Sequence, residues 1–162
     1  MAELDQFYQT VGFHFAVEFI GLGQTNQSID ARFQSVSGLD VQMQTETIRE
    51  GGENRFEHLL PTRRNYSNLV LKRGLLSPAS ASAVTAWCKH AFDQLFLEVV
   101  HPIQPIDMVV NLLNEEHNVL MMWEIKHAWP VKWSFGELNA ERSEVLIETL
   151  ELHYNRFTFK SP

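Results

Sequence analysis

The chain holds one cysteine, Cys88, in 162 residues, so it can form no internal disulfide. No apolar run approaches the ~20 residues that a membrane-spanning helix requires. The first ten residues, MAELDQFYQT, lack the basic and apolar stretches of a secretory signal, which sets the expectation of a chain made and folded in the cytosol without stable membrane anchoring. Positive charge is scarce: 13 basic residues against 20 acidic ones leave a net charge of −7. That balance argues against nucleic acid or an anionic bilayer as the main partner.

The patterns of common chemistry are also missing. The seven histidines (His14, His58, His90, His101, His117, His127, His153) show no H-E-x-x-H or H-x-x-x-H spacing, and with no second cysteine no metal site is expected. Gly21-Leu22-Gly23 lacks the third glycine of a dinucleotide fingerprint, and Gly51-Gly52 lacks the lysine and hydroxyl residue of a phosphate loop. No G-x-S-x-G elbow occurs. Glu115-Glu116-His117 reads as solvated charge in a turn, and Cys88 as a buried, inert thiol on a helix face. No catalytic residue, metal or cofactor is expected, and the chain is read as a non-enzyme.

What the sequence does have is alternation. Phe13, Phe15, Val17 and Phe19 alternate with His14, Ala16 and Glu18, the period of a half-buried strand. Val41, Met43, Thr45 and Thr47 alternate with Gln42, Gln44 and Glu46, giving an apolar face and an acid-amide face that wants water or a polar partner. Gly38 marks a bend where that strand begins. Further strands are expected over 68–73, 106–112, 119–129 and 144–160, with 131–135 as a bent or edge strand after Pro130, since proline cannot donate to a ladder. Ser77-Pro78 opens the one clear helix. Its apolar stripe is Val84, Trp87, Cys88, Ala91, Phe92 and Leu95. The 44% hydrophobic content and the length fit one domain. The fold class is mainly β: an antiparallel β-sandwich or barrel of about seven strands, with one packed α-helix.

One stretch resists this scheme. Residues 47–66 carry paired glycines, a proline and many charges, with no helical period, and read as a long loop. Loops beyond about 12–15 residues in a compact domain are uncommon and tend to be functional or disordered. Phe56, Leu59, Leu60 and Tyr66 argue against disorder, so this is read as an arm that orders against a partner. Arg49, Arg55, Arg63, Arg64, Lys72 and Arg73 outnumber Glu50, Glu53 and Glu57, whereas Glu137, Glu141, Glu144, Glu148 and Glu151 face only Arg142. These segments are open to three readings: a contact within one subunit, a contact that steers neighbouring copies, or two solvated surfaces. Trp87, Trp123, Trp129 and Trp133 leave open a ligand-binding barrel, though such aromatics usually fill cores.

The string FQSVSGLDVQMQTETIREGGEN at 33–54, then Leu60-Pro61, then YSNLVLKRGL at 66–75 and a tryptophan-bearing helix, resembles the inner-tube proteins of contractile phage tails and phage-tail-like injection systems. The hairpin 111–119 and the W-x-I-x-x-A-W-P pattern at 123–130 extend the likeness, which covers 13–158. The resemblance implies a fold similar to the type VI secretion tube protein. It also implies six-membered rings stacked into a hollow tube, with a sheath protein, baseplate and spike components and cargo or DNA as partners. It implies that the loop 47–66 reaches neighbouring subunits through Arg49, Glu50, Gly51, Gly52, Glu53, Asn54, Arg55, Leu60 and Pro61. Asp40, Gln42, Gln44 and Glu46 are then expected to face the lumen. The segment 1–11 is an N-terminal extension suited to an adaptor contact, which leaves a baseplate-end tube paralogue as the alternative role. Such a protein assembles in the cytoplasm and then forms part of a particle or virion tail.

Overall fold

The computed structural model describes residues 15–22, 29–31, 33–48, 57–75, 83–93, 103–138 and 145–161. Ten strands and one helix lie within them: β1 (Phe15–Ile20), β2 (Ile29–Ala31), β3 (Ser35–Ser37), β4 (Val41–Ile48), β5 (His58–Tyr66), β6 (Leu69–Gly74), α1 (Ala83–Asp93), β7 (Ile106–Leu113), β8 (Val119–Phe135), β9 (Ile147–His153) and β10 (Arg156–Lys160). All pairings are antiparallel.

The 17-residue β8 organises the molecule. Its first part pairs with β7 on one side and β10 on the other. Its last part pairs with β9, which leads to β6 and β3. One strand therefore serves two sheets, and it must bend between them. The bend falls at a bulge: two residues, Lys126 and His127, stand opposite Asp107, and His127 adopts φ 62°. Asp107 braces it. Its carboxylate accepts the His127 N–H at 3.0 Å and the Lys126 ammonium at 2.8 Å. Lys126, above all through that hydrogen bond, holds the Asp107 carboxyl below its ordinary range.

The core follows from the alternation. Val17 and Phe19 on β1, Met108 and Val110 on β7, Leu69 and Leu71 on β6, and Leu150 and Leu152 on β9 are buried. Val84, Trp87 and Cys88 of α1 close one side of the cluster. The four tryptophans pack against protein. Trp87 meets Phe19 edge-on and donates to the Gln104 carbonyl at 3.0 Å. Trp123 packs on Phe159, Trp129 on His153, and Trp133 between Phe92 and Phe135. The buried face of β6 ends in Arg73 and that of β9 in Glu148, which are register partners. Arg73 Nε donates to Glu148 at 2.5 Å, its Nη2 donates to Thr85 of α1 at 2.7 Å, and Trp133 Nε1 donates to Glu148 at 2.6 Å. Several hydrogen bonds thus offset the desolvation of two buried charges.

The sequence expectations need four corrections. The expected count of about seven strands becomes ten among the described residues, partly because two short strands, β2 and β3, carry too few residues to show a period. The expected single strand over 144–160 is two, β9 and β10, because the chain passes from β9's sheet to pair with the opposite part of β8. Tyr154 and Asn155 make that change. The segments expected as 119–129 and 131–135 are one strand. Pro130 is tolerated because pairing with β7 and β10 has ended by then, leaving one side of the strand without a partner among the described residues. The expected loop 47–66 holds nine residues of β5, discussed below. The Ser77-Pro78 helix start and Leu95 lie outside the described residues.

Candidate functional site

The site is the ribbon of β4 and β5. Among the described residues these strands pair only with each other, and every described residue from Val41 to Asn65 is exposed. The stretch looked unstructured in sequence because β5, HLLPTRRNY, has neither alternation nor β-branched enrichment apart from Thr62. It is a strand because its partner β4 is one. The register explains how. Ser37 pairs with Val70 in the β3–β6 ladder, and Val41 with Tyr66 in the β4–β5 ladder, at the same offset. The arm is therefore the β3–β6 pair continued outward beyond a kink at 38–40 and 67–68.

The kink is built from close backbone contact. Gly38 has φ 90°, and a Cβ there would lie 2.0 Å from the Asn68 carbonyl oxygen. Only glycine fits. The Gly38 carbonyl accepts the Tyr154 hydroxyl at 2.8 Å, and Ser67 Oγ donates to Asp40 at 2.8 Å. On the other strand, Asn68 Nδ2 donates to Glu151 at 2.8 Å, while its Oδ1 lies 3.3 Å from His153 Nδ1. Tyr66, Tyr154 and Phe157 form an aromatic triangle beneath the ribbon, with centroids 5.5–6.3 Å apart. Burial, then the Asp40 and Tyr66 charges, push the Tyr154 phenol from 10.0 up to about 12. The arm thus leaves the body from an anchored base.

Beyond the base the ribbon has two unlike faces. Register places Val41, Met43, Thr45 and Thr47 beside Tyr66, Arg64, Pro61 and Leu59. The opposite face carries Gln42, Gln44 and Glu46, with Asn65 and Leu60 across from Gln42 and Glu46. A bulge on β5 between them adjusts for Pro61, which has no N–H to give. There Thr62 Oγ1 donates to the Gln44 carbonyl at 3.0 Å. Met43 is 52% exposed and Leu59 63%. An isolated two-stranded ribbon is marginal in water, and this one presents an apolar stripe along one face.

Of the residues singled out in sequence, Leu60 and Pro61 lie on β5, and Gln42, Gln44 and Glu46 share one face of β4. Asp40 lies in the kink. Arg49, Glu50, Gly51, Gly52, Glu53, Asn54 and Arg55 lie outside the described residues. The basic and acidic segments run side by side inside the subunit along the β6–β9 ladder, where Arg73 pairs with Glu148. Sequence reading did not find Asn68, Glu151, His153 and Tyr154 as the arm's anchor. Asn68, His153 and Tyr154 are ordinary residues at or beside strand ends and Glu151 an ordinary residue within β9, and only the kink at Gly38 hinted at them. Cys88 is buried, and burial followed by the Glu148 charge pushes its thiol to about 12. Among the described residues no three His, Cys, Asp or Glu side chains come together as metal ligands.

The described residues thus form an antiparallel β-fold kinked along β8, with one packed helix and a projecting two-stranded ribbon. A chain in the cryo-EM structure of the anti-feeding prophage (AFP) baseplate, 6-fold symmetrised, is 32% identical, with 95% of this chain and 97% of that chain covered and a TM-score of 0.83. A chain of the extracellular contractile injection system PVC sheath–tube complex in the extended state shares the fold at 20% identity, with 97% and 95% covered and a TM-score of 0.76. Hcp1 from Flavobacterium johnsoniae shares the fold more distantly, at 14% identity, 91% and 95% covered and a TM-score of 0.53. No curated protein matches the sequence at a significant level. The model of the T4-like virus tail tube protein gp19 family matches residues 11–158, and the chain belongs to that family. It is a tail tube protein.

Proposed function

We propose that this chain is a wall subunit of an inner tube, in which six copies close into a ring and rings stack around a lumen. The observation that carries the reading is the β4–β5 ribbon, anchored at its base and exposed along its length. A ribbon of this kind gains stability when a neighbour covers it. The symmetry of the 32%-identical neighbour supports the number six. Relatives of this fold occur in baseplate, sheath–tube and cap structures alike, which favours the tube-wall role over a specialised baseplate-end subunit.

In this reading the role is passive and non-catalytic. The tube is driven through a target envelope by a surrounding sheath, with a baseplate and spike at its end and cargo or DNA inside. Gln42, Gln44 and Glu46, with Asp40 at the ribbon's base, face the water-filled lumen, and the segment 49–55 contacts neighbouring subunits. Assembly takes place in the cytoplasm before the particle reaches its target. Electron microscopy of the purified protein at high concentration tests this: rings or tubes are expected. Strict monomers under all conditions, with the ribbon cleaved readily by protease, would overturn it.

A further inference from the structure

The two strands of the ribbon are tied to the body in different ways. On one, the Gly38 carbonyl accepts the Tyr154 hydroxyl at 2.8 Å. Burial, above all, pushes that phenol up to about 12, so it stays protonated throughout the range in which histidine changes charge. On the other, the tie to β9 runs through one side-chain amide. Asn68 Nδ2 donates to Glu151 Oε1 at 2.8 Å, which turns Asn68 Oδ1 toward His153 Nδ1, 3.3 Å away. Glu151 and His153 stand two residues apart on β9, and all three side chains are half-buried. The Asn68 oxygen can only accept, so its bond to His153 exists only when Nδ1 carries a proton. A neutral imidazole has one proton for its two nitrogens, whereas an imidazolium has one on each.

We infer that Glu151, Asn68 and His153 form a proton-responsive clasp, in which protonation of His153 tightens the base of the ribbon and orders the strands beyond it. In the cationic form Nδ1 always donates, the bond to Asn68 is charge-assisted, and the amide lies between an imidazolium and a carboxylate. In the neutral form the proton is divided between two tautomers, one of which turns a lone pair on the Asn68 oxygen. The tightened state therefore holds at mildly acidic pH and is lost as pH rises through the histidine range. The charged groups around His153 permit this. Glu151 lies on its own strand. Lys132 of β8 stands opposite Glu151 and Lys72 of β6 opposite Thr149, and both are exposed, so water and salt screen them. His127, also exposed, precedes by two residues Trp129, the register partner of His153. Asp40, in the kink, accepts the Ser67 hydroxyl at 2.8 Å. The tube-wall reading supplies the use: a ribbon already ordered gives up less conformational freedom when a neighbour covers it.

The test compares the full-length unaltered protein with His153→Asn and Asn68→Ala at about pH 5.5 and about pH 8, dilute enough to sediment as monomers. His153→Asn keeps an N–H donor beside Asn68 but cannot titrate, and Asn68→Ala removes the acceptor. Deuterium exchange of β4 and β5, corrected for the intrinsic effect of pH, reads the order of the ribbon. In the unaltered protein exchange is expected to be about fivefold slower at the lower pH, as the bond gains an ionised donor. Neither variant is expected to show that change: exchange stays slow at both pH values in His153→Asn and fast at both in Asn68→Ala. A pH dependence that persists in either variant overturns the inference, as does its absence from the unaltered protein. Trp129, whose ring stands edge-on to the imidazole with centroids 5.4 Å apart, gives a second reading, because a neighbouring imidazolium quenches indole emission. Emission is expected to fall on acidification in the unaltered protein and in Asn68→Ala, but not in His153→Asn. Equal quenching in all three overturns His153 as the titrating group. If circular dichroism shows that His153→Asn does not fold, His153→Gln takes its place. Exchange is read on the monomer, so a failure here leaves the tube-wall reading standing, and a failure to form rings leaves the clasp standing.

Discussion

The backbone of Gly38 runs against that of Asn68 so closely that any side chain at Gly38 would collide with the Asn68 carbonyl. This contact sets the angle at which the ribbon leaves the body. Gly38→Ala adds both a steric clash with backbone and a strained positive φ, each costing on the order of 1–3 kcal/mol. A loss of about 3 kcal/mol is expected in urea unfolding, together with impaired assembly by sedimentation.

Arg73 and Glu148 form a buried pair whose members depend on one another. Removing either, as Arg73→Ala or Glu148→Ala, leaves the other charge uncompensated and should cost about 3–5 kcal/mol. Replacing both at once, Arg73→Met with Glu148→Leu, should cost less than the two single changes together. The remaining loss reflects Trp133 Nε1, which gives up its acceptor. Strict additivity in denaturant titrations would show that the pair is not coupled.

Alkaline pH should destabilise the fold through two groups. The folded-state values of Cys88 and Tyr154 are raised from 9.0 and 10.0 to about 12, chiefly by burial. Groups with raised values bind their protons more tightly in the folded chain, so their contribution is intact below pH 9 and is lost as pH climbs toward 12. Tyr154→Phe should flatten the fall above pH 10, and Cys88→Ala the fall that begins near pH 9. Tyr154→Phe also removes the hydrogen bond to Gly38, worth about 1 kcal/mol at neutral pH. Melting curves across pH 8–12 check both.

The bulge at His127 should respond in opposite directions to two changes. Asp107→Ala removes the brace on the His127 N–H and the partner of Lys126. Because the pair is partly solvated, a loss of only about 1 kcal/mol is expected. His127→Gly relieves the positive φ and should be neutral or stabilising by up to about 1 kcal/mol. Thermal unfolding of the two variants distinguishes them.

Much of the fold was legible where burial is one-sided. The alternation at Phe15–Ile20 and Val41–Thr47 and the stripe Val84–Cys88 gave strands and helix near their observed positions. Two features were hidden for physical reasons. β5 draws its conformation from pairing with β4 rather than from its own residues, so HLLPTRRNY carried no local signal. β9 and β10 share one alternating pattern, and the break at Tyr154 follows from the change of sheet. The candidate site was half legible: Gly38 and the amide face were visible, whereas Asn68, Glu151 and His153 become an anchor only when β6 and β9 lie side by side.

The central claim is that the ribbon assembles the subunit. The most direct measurement compares the unaltered protein with a variant carrying Arg49→Ala, Glu50→Ala, Glu53→Ala and Arg55→Ala, by sedimentation and negative-stain microscopy at matched concentration. The expected result is a folded variant that stays monomeric while the unaltered protein forms rings or tubes. A variant that assembles as readily as the unaltered protein would contradict the claim.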